Sequence, residues 1–135
     1  MNLKPTDYDF GVPENYSFAS NITCADEKIR QMFVLGYGHM LNYNHEEAIA
    51  CFMKCTELDP NCAMAWWGIA YCVSSNYNWA PGLGSGYDAI QQALAVMGHC
   101  TDLEQDLITH YRRDTQKRLE ILQTHPCSTW GTAQN

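Results

Sequence analysis

The sequence predicts an all-α domain of about five antiparallel helices, and three observations carry that expectation. Apolar residues recur at three- and four-residue intervals over most of the chain, and capping residues stand where the apolar stretches begin. A spaced pattern that starts at Met32 also starts again 34 residues later, at Trp66. With 135 residues there is enough chain for one shared core and too little for two. An apolar fraction of 46% against 17% charged residues suits a packed interior rather than a disordered chain.

Three segments follow from this pattern: a leader over residues 1–22, a helical domain over 23–123 and an irregular tail over 124–135. The leader is rich in Pro, Asn, Asp and aromatic residues without a sustained period, so it reads as extended chain lying against the first helices. Thr23-x-x-Asp26 then offers a capping start, and Ile29, Met32, Phe33, Gly36 and Met40 carry a first helix to about Leu41. Asn42-Tyr43-Asn44 supplies a turn. Asn44 with Glu47 caps a second helix bearing Ala48, Ile49, Phe52, Met53 and Cys55, which Asp59-Pro60 ends. Pro60-Asn61 starts a third, with Ala63, Met64, Trp66, Trp67, Ile69, Ala70 and Val73; being apolar nearly all round, it belongs in the middle of the stack. The Pro- and Gly-rich stretch from Asn76 to Gly86 reads as a loop. Ser85-x-x-Asp88 opens a fourth helix through Ala89, Ile90, Ala93, Leu94 and Val96, closed by Gly98. Thr101-x-x-Glu104 opens a fifth, with Leu103, Leu107, Ile108 and Tyr111 on its inner side.

The helices also fill a spaced signature: Met32-x-x-Leu35-Gly36-x-x-His39, Ala48-x-x-x-Phe52 and Pro60, renewed as Trp66-x-x-Ile69-Ala70-x-x-Val73. In this pattern the chain resembles the tetratricopeptide repeat family over roughly residues 29–111, with one well-matched and one altered repeat. The second repeat departs from the pattern. Gly36 to Ala48 spans twelve residues and Ala70 to Ala89 nineteen, which inserts seven, and Ala93 and Thr101 replace the expected Phe and Pro. Small residues at Gly36 and Ala48 would let paired helices approach, with Leu35 and Phe52 filling the space between them. The resemblance implies an α-α superhelix whose concave surface receives a peptide or protein partner. Arg30, Phe33, Tyr37 and Met40 from the first helix would line it with Met64, Trp67, Tyr71 and Ser74 from the third. A subclass of the family clamps a terminal carboxylate with Lys and Asn at such places; Phe33, Tyr37 and Gly68 stand there in this chain, so that role is not carried over.

Composition narrows the partners further. The net charge of −7 sets an average field that repels phosphate backbones and anionic lipid heads, which speaks against nucleic acid and membranes. Arg112, Arg113, Lys117 and Arg118 form a local exception, read as the solvated face of a helix. No secretory signal is visible at the amino terminus, so the expected setting is cytoplasmic, with the seven cysteines reduced and packed as small apolar groups. The leading expectation is a noncatalytic adaptor or scaffold without a cofactor. The alternative is a metal site at one edge of the stack, where His39, Asn42, Asn44 and His45 would meet Asn76 and Asn78 of the inserted loop. His45-Glu46 opens a zincin-like motif, but Ile49 stands where its second His belongs. A third expectation is self-association through the last helix, whose apolar side has no following repeat to cover it.

Overall fold

A computed structural model describes residues 18–74 and 86–124, apart from the side chains of residues 118, 119 and 121–124. Five α-helices make up most of it, and no strand occurs among the described residues. Helix α1 (Glu27–Leu41) begins where Asp26, in extended backbone, accepts a 3.0 Å hydrogen bond from the Ile29 N–H and so satisfies one of the free donors of the first turn. The cap is therefore Asp26 and not Thr23, whose hydroxyl goes elsewhere. The Asn42-Tyr43-Asn44 turn closes α1, with Tyr43 at φ 62° and the Asn44 N–H donating to the His39 carbonyl at 2.9 Å.

Helix α2 (His45–Leu58) has Asn44 at its N-cap position, but the Asn44 side chain makes no capping hydrogen bond. Its backbone, at φ −85° and ψ 67°, lies outside the extended region from which such a side chain reaches the first turn, so the expected Asn44/Glu47 cap does not form. Helix α3 (Ala63–Val73) starts two residues later than Pro60-Asn61 suggested, with Cys62 as N-cap. Asp59 organises this corner: its carboxylate accepts from the Asn61 N–H at 3.1 Å and from the Ala25 N–H at 3.0 Å, joining the entries of α3 and α1.

Helices α4 (Tyr87–Val96) and α5 (Asp102–Thr124) follow, linked by a 3-10 turn over Met97–His99. Each helix packs on the next, and α3 also touches α1 and α5, the central place its apolar surface requires. The inserted loop, with Asn76, Asn78 and Ser85, lies outside the described residues. Gly86 holds the N-cap position of α4 at φ 75°, and a Cβ there would stand 2.6 Å from the Ala70 carbonyl oxygen. Gly86→Ala is expected to lower stability by about 2–4 kcal/mol, the left-handed backbone penalty plus the clash, as read from urea unfolding.

The core turns on one ring. A Cβ on Gly36 of α1 would stand 2.9 Å from Phe52 Cε1, and one on Gly68 of α3 only 2.6 Å from Phe52 Cε2. Phe52 of α2, fully buried, thus wedges between the two flanking helices where each is bare of a side chain. Leu35, expected to share that space, is 53% exposed. Successive helical residues lie about 100° apart, so the side chain beside Gly36 leaves the α2 interface, and Phe33, one turn earlier, takes the place with ring centroids 5.2 Å from Phe52. Leu103 fails for the same reason: it is 58% exposed, while its neighbour Glu104 turns inward with Ile108, Tyr111 and Thr115.

Candidate functional site on the odd-numbered helices

Helices α1, α3 and α5 present one side of the stack, and an aromatic series crosses it. Tyr37 of α1 lies over Phe33, with centroids 6.2 Å apart. Phe18 meets Tyr37 edge-on at 5.9 Å and Trp67 of α3 at 6.5 Å. Trp67 continues to Tyr71 at 5.7 Å, and Tyr71 to Tyr111 of α5 at 5.8 Å. Centroid separations of this size in edge and tilted arrangements are favourable for aromatic pairs. The far end is anchored by polar contacts, the Tyr111 hydroxyl lying within hydrogen-bond distance of Ser74 Oγ and the Ala70 carbonyl.

The eight residues expected to line this face are not equally open. Phe33 and Met64 are fully buried, and Met40, Trp67 and Ser74 nearly so. Tyr37 is half-buried, and Tyr71, 44% exposed, is the most open of the aromatic set. Arg30 sits at the margin, its guanidinium on Glu27 at 2.6 Å and near the Ile22 carbonyl at 3.4 Å. The end of the leader covers part of this face, over Tyr37 and Trp67. Ala19–Asn21 form a 3-10 turn on α1, with Ala19 and Ile22 fully buried and Phe18 packed against the core. The sequence led to extended chain lying against the first helices; the single turn within it is too short to show a period.

The leader is also tied to α5. Glu104, only 2% exposed, accepts from the Thr23 N–H at 3.1 Å and the Thr23 hydroxyl at 2.7 Å. The same carboxyl completes the capping box expected at Thr101: it accepts from the Thr101 N–H at 3.2 Å, and the Glu104 N–H donates back to Thr101 Oγ1 at 3.3 Å. One buried side chain therefore starts α5 and holds the segment that leads into α1.

The other candidate edge is less convergent. His45 is buried, with its ring 6.2 Å from that of Tyr43, His39 is half-buried, and Asn42 and Asn44 are exposed. Asn42 Nδ2 donates to the Gly38 carbonyl at 2.9 Å as a turn residue does. No group of three or more His, Cys, Asp or Glu suited to a metal occurs among the described residues. Arg112, Arg113 and Lys117 are exposed along α5, and no helix among the described residues is long and apolar enough to cross a membrane.

Cys24, Cys51, Cys55, Cys62, Cys72 and Cys100 are all free thiols; the last four are buried, the first two half-buried. Burial pushes the thiols of Cys55, Cys62 and Cys72 up to about 12, and that of Cys100 to about 11, from an ordinary 9.0. Raised folded-state values mean that the folded protein keeps protons the unfolded chain releases. Their contribution is intact below about pH 9 and is lost as pH rises toward 12. Stability measured by urea unfolding is expected to fall over that window, and maleimide labelling followed by mass spectrometry should find Cys24 and Cys51 modified before the buried Cys55, Cys62, Cys72 and Cys100.

The fold and face together define a class: sequentially packed helices with an aromatic surface on the odd-numbered members. The chain matches no protein-family model, no curated protein and no solved structure, so the class rests on its own residues.

Proposed function

We propose that this chain is a noncatalytic protein-interaction module, an adaptor or scaffold of the tetratricopeptide-repeat type, that receives a peptide or protein on the face of α1, α3 and α5. The observation that carries this reading is the aromatic series from Tyr37 through Phe18 and Trp67 to Tyr71 and Tyr111, which reaches the surface at Tyr37 and Tyr71. Rigid aromatic rings over a packed base give broad contact area at little cost in side-chain entropy, as interface anchors do. The contact of Gly36 with Phe52 supports the repeat reading, because both stand at positions the spaced signature marks; Gly68, on the other side of the ring, lies outside that signature. A reducing, cytoplasmic setting suits free thiols packed as small apolar groups.

The test is affinity capture from cells that make the protein, comparing the natural chain with Tyr71→Ala and with Met53→Ala, an exposed apolar residue of the even-numbered helix α2. A stoichiometric partner retained by Met53→Ala and lost at least tenfold by Tyr71→Ala is the expected result. Equal capture by all three proteins would remove this face from the function.

A further inference from the structure

We infer that Phe18–Ile22 is a built-in ligand of the odd-helix face, so that a partner binding there carries a matching helical turn, aromatic-small-x-x-aliphatic, and displaces the chain's own. The inference deepens the proposed function and rests on it for the identity of the face. Its evidence lies in how the segment is seated. Phe18 puts its ring against both Tyr37 and Trp67, from two different helices, while Ala19 and Ile22 are fully buried and Asn21 faces outward. An apolar ring, a methyl and a branched aliphatic presented from one turn is how a short helical peptide enters a groove between helices.

Polar contacts hold the other end of the segment. Arg30 Nη2 is 3.4 Å from the Ile22 carbonyl, and Thr23 is held by Glu104. Phe18 is held by ring contacts, which a competing ring can replace in kind, whereas Thr23 is held by hydrogen bonds that an incoming apolar turn does not reproduce. Displacement therefore proceeds from Phe18 toward Ile22 with Thr23 as the fixed point. A tethered ligand of this sort acts at an effective concentration in the millimolar range, so a free partner turn meets a steady competitor.

The experiment uses the full chain carrying Phe18→Ala and Ile22→Ala, and as probe the synthetic peptide of residues 16–23, Tyr-Ser-Phe-Ala-Ser-Asn-Ile-Thr. Binding is read from saturable shifts of the Trp67 indole resonance, assigned by comparison with Trp67→Phe. The double variant is expected to bind the peptide at least tenfold more tightly than the natural chain, and a peptide with Ala in place of Phe is expected not to bind. Equal affinity for both proteins, or no saturation up to about 5 mM peptide, above the effective concentration of a short tether, would overturn the inference. If the double variant loses its helical circular dichroism, Phe18→Ala alone is expected to give the same ordering by a few fold, and its absence counts equally against the idea. A Tyr71-dependent partner captured no better by the Phe18 variant would sink the built-in ligand and leave the proposed function standing. Peptide binding in trans without such a partner would do the reverse.

Discussion

Phe52→Ala is expected to lower the unfolding free energy by about 3–5 kcal/mol, a large share of the roughly 5–15 kcal/mol that a domain of this size possesses. The ring is fully buried and touches both flanking helices where they carry only hydrogen at Cα. Neither helix has a side chain at that crossing to fill the cavity, and the Phe33 ring loses its neighbour at 5.2 Å. Gly68→Ala acts on the same contact from the other side. Its Cβ would be 2.6–2.8 Å from three atoms of the Phe52 ring, and overpacking of about 1–3 kcal/mol outweighs the roughly 1 kcal/mol gained in helix propensity when the ring cannot shift. Combined, the two substitutions should be less harmful than their sum by at least about 1 kcal/mol, because the clash needs the ring. Urea unfolding of the four proteins gives the coupling directly. Additive effects would mean that the wedge is not where stability resides. Gly38 provides the control: no atom lies within 4 Å of a Cβ placed there, so Gly38→Ala should stabilise by up to about 1 kcal/mol.

Glu104→Ala is expected to cost about 2–4 kcal/mol, although the residue stands in what looks like an ordinary capping position. Its removal leaves the N–H and hydroxyl of Thr23 and the N–H of Thr101 without the acceptor they share. A cap alone typically contributes about 1 kcal/mol, so the excess measures the tie between the leader and α5. Thr23→Val removes only the 2.7 Å hydroxyl bond and should cost about 1–2 kcal/mol. In the background of Glu104→Ala the same Thr23 substitution should become nearly neutral, a non-additivity that a purely local cap would not produce. Thermal unfolding of the single and double variants reads this out.

The outcome at Thr23 also shows why the sequence was legible in some places and not in others. Thr101-x-x-Glu104 was readable because both partners of the capping box lie within one turn, and the structure forms it. Thr23-x-x-Asp26 has the same spacing and does something else: the competitor for the Thr23 hydroxyl lies 81 residues away, and no local pattern encodes it. Helix content and order followed from apolar periodicity, and the central place of α3 from its lack of a polar face. Leu35 and Leu103 were misplaced because each adjoins the residue that truly faces inward, Gly36 or Glu104, and a one-residue error on a helix turns a side chain by about 100°. Gly68 carried a signal that was passed over, since a glycine inside an apolar helix often marks a close approach. The candidate face came from the resemblance alone, and the turn that lies on it, Phe18 to Ile22, was too short for any periodic test.

Site-specific photo-crosslinking in cells decides whether a partner meets this protein on the odd-numbered helices. A photoreactive phenylalanine analogue is placed at Tyr71 of α3, and in a second protein at Met53 of the even-numbered helix α2, both exposed. A discrete crosslinked product is expected from position 71, strengthened when Phe18→Ala is added, and none from position 53. Crosslinking from position 53 with none from position 71 would place the partner on the other side of the stack.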